Sequence, residues 1–228
     1  MSDLQYNIAR SARRKTVTIT VERDRTIMVR VPEEMSDDAI DQIVIAKRHW
    51  IFAKLRSPQK YEELRHPPGK EVVNGESALF LGREYRIEIA ETKSGRVEFS
   101  RGFRIPPAQS SRRREVLRGW YIERAKEVIL SRVEQQAREL GVVVKGTRIV
   151  DNLYRWGSCT VSDNVNFNWR LIKAPMFVID YVVVHELAHL IEPNHTEAFW
   201  NIVRAKTATM EKAKVWLKDH GQTLEAEI

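Results

Sequence analysis

Apolar and polar residues alternate along residues 14–31 of the chain. Val17, Ile19 and Val21 fall on one face of one segment, and Ile27, Val29 and Val31 on one face of the next. All six are β-branched, and the period of two with Arg23-Asp24-Arg25 between them predicts a β-hairpin. The period then changes. Ile40, Ile43, Val44, Trp50 and Ile51 recur at helical spacing as far as Leu55. Ser36 can cap this helix, Asp37 and Asp38 suit its positive end, and Pro58 stops it. HPPGK at 66–70 is a break. Short strands are expected at 77–80, 84–90 and 96–103, with Gly82 and Ser94-Gly95 at the turns. Pro106-Pro107 and Ser110-Ser111 form the best linker, which places a domain boundary near 108.

The second half opens with a long amphipathic stretch, about 112–140. Val116, Tyr121, Ala125, Val128, Ile129, Val133 and Leu140 make its inner stripe, and Gly141 fits its C-terminal end. A strand follows within 142–151. RWGSCT at 155–160 and VNFNWRLI at 165–172 read as a strand pair turning at 162–164. Pro175 opens a further helix, and one or two last helices cover about 196–218. Strands and helices are grouped rather than strictly alternating, so the expected fold class is α+β.

Composition narrows the class. The 228 residues suit one large domain or two small ones. No apolar run approaches the roughly 18 residues that span a bilayer, and the N-terminus has no apolar stretch to act as a signal peptide. Cys159 is the single cysteine, so no internal disulfide forms. These features predict a protein of a reducing compartment, cytoplasmic and not membrane-bound. The net charge is +7. The surplus is spread over both halves, with local clusters at Arg13-Arg14-Lys15 and Arg112-Arg113-Arg114 that read most simply as solvated surface or a helix start.

One stretch does not fit a plain core helix. VVVHELAHLIEPNH at 182–195 sets three histidines and two acids in an apolar run, and polar groups are costly to bury unsatisfied. His185-Glu186-Leu187-Ala188-His189 has the form H-E-x-x-H. Residues four apart on a helix lie nearly above one another, so both imidazoles can face one ion. Zinc suits two imidazoles, a third protein ligand and one water. Glu186, rotated about 100° from His185, can reach that water as general base without binding the ion. Glu192 precedes Pro193, which pushes it out of the α region, so the helix stops near 191–192 and the chain can bring His195 back as third ligand. Asn194 and Glu197 resemble a capping box for the next helix. Glu192, Glu197 and Glu211 are the rival third ligands.

YRWGSC at 154–159, NFNWRL at 166–171, VVVHELAHL at 182–190 and NHTEAFW at 194–200 together resemble the YgjP-like metallopeptidases, relatives of the SprT/Spartan group of zincins. The resemblance is strong over about 150–205, and TVTITV with TIMVRVP and KRHWI extend it into the first half. It implies a zinc-binding catalytic half in which His185, His189 and His195 hold one Zn2+ and Glu186 is the base. The third-ligand spacing also equals that of the metzincins, but Glu192 stands where their turn glycine would be. The expected organisation is a β-rich N-terminal domain with one long helix over 1–108 and a zincin-like catalytic domain over 109–228.

Further site residues are expected around this core. In zincins the strand beside the motif helix often pairs with extended substrate, which makes Arg155, Gly157 and Asn168 candidate substrate contacts. Arg155 suits a carboxylate or phosphate, or a structural acid, and Gly157 allows close approach. Cys159, Trp156, Trp169 and Trp200 read as packing residues, as do His49, His66 and His220. Tyr181 lies one turn before His185 and receives no role. The leading expectation is a zinc-dependent peptidase acting on a peptide or protein substrate. A metal-dependent phosphohydrolase acting on nucleotides, and a protease of nucleic-acid-bound proteins, are the alternatives.

Overall fold

The computed structural model describes residues 4–21, 26–56, 71–108, 110–152 and 155–225. The expected turn at Arg23-Asp24-Arg25, the stop at Pro58, the HPPGK break with His66, and Tyr154 lie outside the described residues. The chain divides into two compact units, Met1–Glu62 and Glu63–Ile228.

In the first unit, β2 (Thr18–Val21) pairs antiparallel with β3 (Ile27–Pro32), as the alternation predicts. β1 (Asn7–Ser11), which has no such alternation, adds parallel to the other edge of β3. Ile27, Val29 and Val31 turn inward and share a small core with Ile40, Val44 and Ile51. Two helices supply the last three, α1 (Asp37–Ala46) and α2 (Arg48–Arg56), where the pattern predicts one. Ser36 Oγ accepts from the Ala39 N–H at 3.4 Å, so the start is as expected. The Lys47 N–H is shared between the carbonyls of Ile43 and Val44, both at 3.1 Å, and this tightened turn ends α1.

The second unit holds two sheets and four helices among its described residues. β4 (Ser77–Phe80) pairs antiparallel with β5 (Arg83–Ile89), which runs parallel to β7 (Phe103–Ile105). β6 (Glu98–Phe99) pairs antiparallel with β7, so the single strand expected at 96–103 is a small hairpin instead. Gly102 forms its bend, where a side-chain carbon would lie 2.8 Å from the Arg86 carbonyl oxygen. Phe80 and Phe103 from this sheet meet Trp120 of α3 (Ser110–Leu140) edge-on, Phe99 packs tilted on the same ring, and Tyr85 packs edge-on against Phe99. The boundary expected near 108 therefore falls inside one continuous core. An apolar aromatic face on the sheet requires the helix that follows it.

The other sheet has the order β8-β10-β9, from β8 (Gly146–Val150), β9 (Gly157–Cys159) and β10 (Asn164–Asn168). β10 continues as a 3-10 helix, Trp169–Lys173, where a strand was expected, because the Asn168 side chain accepts from the Arg170 N–H and caps it. α4 (Met176–Ala188) then enters the core. It is apolar nearly all round and buries nine of its 13 residues, which makes it the central helix of the unit. The β4–β5 turn holds its start. Leu81 and Gly82 donate to the carbonyls of Ile172 and Lys173 at 3.0 and 2.9 Å, and Gly82 lies against Pro175. α5 (Glu197–Lys206) and α6 (Met210–Glu225) pack on it afterwards.

Candidate metal centre

Burying α4 on all sides forces its polar residues to be satisfied inside the protein. His185 and His189 leave the end of this helix one turn apart. Regular helix stops at Ala188, and the N–H groups of Leu190, Ile191 and Glu192 then fold back on Leu187 and Ala188 at 2.9–3.0 Å. This tight turn, followed by Pro193, reverses the chain. Glu192 does not join the histidines: its carboxylate accepts from the Asn194 N–H at 3.2 Å and braces the loop. The cap of α5 is Thr196, not the expected Asn194. The Thr196 hydroxyl accepts from the Phe199 N–H at 3.3 Å, while the Asn194 carbonyl accepts from Thr196 itself at 2.7 Å. Capped this way, the short loop returns His195 over α4.

His185, His189 and His195 each offer one ligand atom, and these atoms lie within 4.8 Å of one another. Among the described residues this is the group of three metal-ligating side chains that converge; Glu197 and Glu211 stand outside it. Nε2 of His185 and of His195 are 3.1 Å apart. Ligands at about 2.0–2.1 Å in a tetrahedron lie roughly 3.3–3.4 Å from one another, so this pair already has the separation an ion needs, and the widest one closes with a shift of roughly an ångström. Burial, then the neighbouring imidazoles of His189 and His195, push His185 down to about 4. Burial and His195 likewise lower His189, against the Glu192 and Pro193 carbonyls that accept from its ring. Both rings are thus neutral donors at pH 7, as metal binding requires. Nδ1 of His185 is buried with no hydrogen-bond partner. The donor set fits a borderline cation such as zinc.

The acid between the histidines faces another way. Glu186 is 7% exposed, and burial pushes its carboxyl up to about 7, against the pull of the Arg155 charge and a hydrogen bond from the Cys159 backbone N–H. Gly157 makes room for it: a side-chain carbon there would sit 2.5 Å from Glu186 Cγ. Strand β9 and helix α4 therefore grip the carboxylate between them. Arg155 is exposed, near enough for its charge to act on Glu186. Asn168 is placed differently from expectation. It is 2% exposed, and its amide donates to the carbonyls of Asn152 and Arg155 while accepting from Arg170. Its polar atoms are committed to holding the loop that carries Arg155. For the thiol of Cys159, burial and then the Glu186 charge raise its pKa, which suits a packing role.

Sequence reasoning missed the aromatic wall of the cluster. Phe199 lies 4.5–5.0 Å from all three imidazoles, and Trp200 stacks on His195 at 5.5 Å and 29°. Lys214 sits over the Trp200 ring at 5.2 Å. The signal was present in NHTEAFW, because residues four and five beyond His195 on a helix starting at 197 must face back toward it. Tyr181 packs on His185 at 5.9 Å, and burial followed by the Glu211 and Glu186 charges pushes its phenol up to about 12.

A mixed α/β chain with convergent imidazoles at the end of its central helix, and an acid buried beside them, has the donor set of a metal-dependent enzyme, and the family match makes that enzyme a metallopeptidase. The chain belongs to the YgjP-like family, whose metallopeptidase-domain model matches residues 15–220. No curated protein matches it. A solved structure, the crystal structure of the metallopeptidase zymogen of Pyrococcus abyssi abylysin, is 20% identical with a TM-score of 0.38; the match covers 44% of this chain and 99% of that one. No helix of the described residues is long and apolar enough to cross a membrane.

Proposed function

We propose that this protein is a zinc-dependent peptidase in which His185, His189 and His195 hold the ion and Glu186 is the general base. The observation that carries the reading is the convergence of three imidazoles within 4.8 Å, with the Glu186 carboxyl buried and gripped by β9 beside them. A base works best with a pKa near the working pH. When bound, the ion supplies a polarised, acidified water and a Lewis acid for the scissile carbonyl. Glu186 takes a proton at its carboxylate oxygen and can return it to the leaving amine. The Arg155 charge favours the ionised form of Glu186, the form that accepts a proton.

β9 is an edge strand of its sheet and packs beside α4. A strand edge next to the reacting groups, with no further strand paired to it among the described residues, favours an extended peptide bound by strand addition, while the space at Gly157 is taken by Glu186. Arg155 at the mouth of this strand is the candidate for a substrate carboxylate. Asn168 serves by fixing the loop of Arg155. The proposed setting is the cytoplasm, consistent with a single cysteine and no disulfide.

The test is Glu186→Gln on zinc-loaded protein. Cleavage of a peptide library is expected to fall by roughly 10²–10⁴-fold with zinc content unchanged. Full cleavage by the variant, or phosphate release from nucleotides in place of peptide cleavage by the wild type, overturns the reading.

A further inference from the structure

A cavity of about 490 Å³ opens at the first turns of α3, in the second unit. Arg114, Arg118 and Arg170 line it, with Ser111, Asp151 and the edge of Trp169. Its size is that of small-molecule sites, and at roughly 30 Å³ per water it exceeds what a bare ion fills.

The charges around it are unevenly spent. Arg118 and Arg170 both bind Asp151, so that one carboxylate is shared by two guanidinium groups. Glu115, also in the lining, is turned to Arg112 at 3.1 Å. Arg113 donates to the carbonyls of Val72 and Ala108. Among the described residues Arg114 has no hydrogen bond or ion pair. Arg170 is 8% exposed, its guanidinium lies 4.6 Å over the Trp169 ring, and its Nε is buried without a partner. A buried, unpaired guanidinium N–H is expensive unless a ligand uses it.

The helix itself adds to the imbalance. The first turn of this 31-residue helix has no acidic residue, and Arg112, Arg113 and Arg114 stand at its positive end. Cations there are unfavourable, and an anion removes the penalty. Stability alone does not account for the arrangement.

We propose that this cavity binds an oxoanionic group, a carboxylate or a phosphoryl group carried on a molecule larger than the ion, with Arg114 and Arg170 as its principal partners. The planar fork of Arg114 suits two oxygens at once, and Arg170, whose Nη1 already holds Asp151, adds its charge and its remaining N–H groups. The assignment is separate from the peptidase reading and is tested without turnover.

Calorimetric titration of the full-length protein with inorganic phosphate and with succinate reads the binding directly. Saturable binding of at least one anion is expected, and the tighter of the two identifies the group. Arg114→Gln, checked for intact fold by circular dichroism, is expected to weaken it by about 10-fold or more, the effect of one charged hydrogen bond. Arg138→Gln removes the same charge from the far end of α3, roughly 36 Å away along the helix, and is expected to change affinity by less than about twofold. No saturable binding, or weakening by Arg114→Gln no greater than by Arg138→Gln, overturns the proposal.

Discussion

Glu186 depends on a residue that has no side chain to offer. Gly157→Ala would place a carbon 2.5 Å from Glu186 Cγ, in a site with no spare room. Peptide cleavage is expected to drop at least about 10-fold with zinc retained, at a cost of roughly 1–3 kcal/mol in stability. Zinc loss, or unchanged cleavage, would mean that β9 does not position the base. The same burial makes the metal-free protein sensitive to pH. The Glu186 carboxyl is raised from 4.5 to about 7, so its contribution to stability is complete below pH 4.5 and lost as pH rises through 7, by up to ~3 kcal/mol. His185 is lowered from 6.5 to about 4, so its contribution is complete above pH 6.5 and lost as pH falls through 4. Between pH 5 and pH 8 the metal-free wild type should therefore lose stability relative to metal-free Glu186→Gln in urea unfolding. Parallel pH profiles would remove the argument. His185, Glu186, His189 and His195 were legible as candidates because helix spacing and one proline are local signals. The Cys159 amide on Glu186 and the structural use of Asn168 were not, since the first needs a strand packed on a helix 27 residues on, and the second a loop closed on carbonyls 13 and 16 residues back.

At the scale of elements, what was legible followed the strength of the period. β2 and β3 alternate cleanly and fold as expected, while β1 carries mixed burial at the sheet edge and shows no pattern. The β6–β7 hairpin hid in an apparently single strand because its bend uses Gly102 within the run. α1 and α2 read as one helix because Ile40, Val44 and Ile51 keep one face across the break at Lys47. α4 is the element on which the site depends, and its start is held by a turn whose glycine is obligatory. Gly82 has φ +78 and no room for a side-chain carbon beside Pro175. Gly82→Ala is expected to cost roughly 1–3 kcal/mol in urea unfolding. A neutral result would show that the docking of this turn contributes nothing to α4.

Among the described residues each unit has a core of its own, and the family match runs across both units. The boundary was misplaced at a proline-rich stretch because proline marks a turn as readily as a domain edge, and only the aromatic packing of Phe99 and Phe103 on Trp120 decides between them. Ile51→Ala in the first unit should lower that unit's stability by about 2–5 kcal/mol, read by hydrogen exchange, with zinc affinity unchanged. A matching fall in zinc affinity would mean that the histidine cluster needs the first core. The histidine cluster, by contrast, draws all its side chains from one stretch of chain, with His185 and His195 only ten residues apart. An ion that ties so short a loop removes little freedom from the unfolded chain, since closure entropy grows with the logarithm of length. Chelation should therefore loosen the backbone from His189 to Phe199 and leave β4–β7 and α3 protected, so that the ion behaves as a latch on a hinge rather than as a keystone.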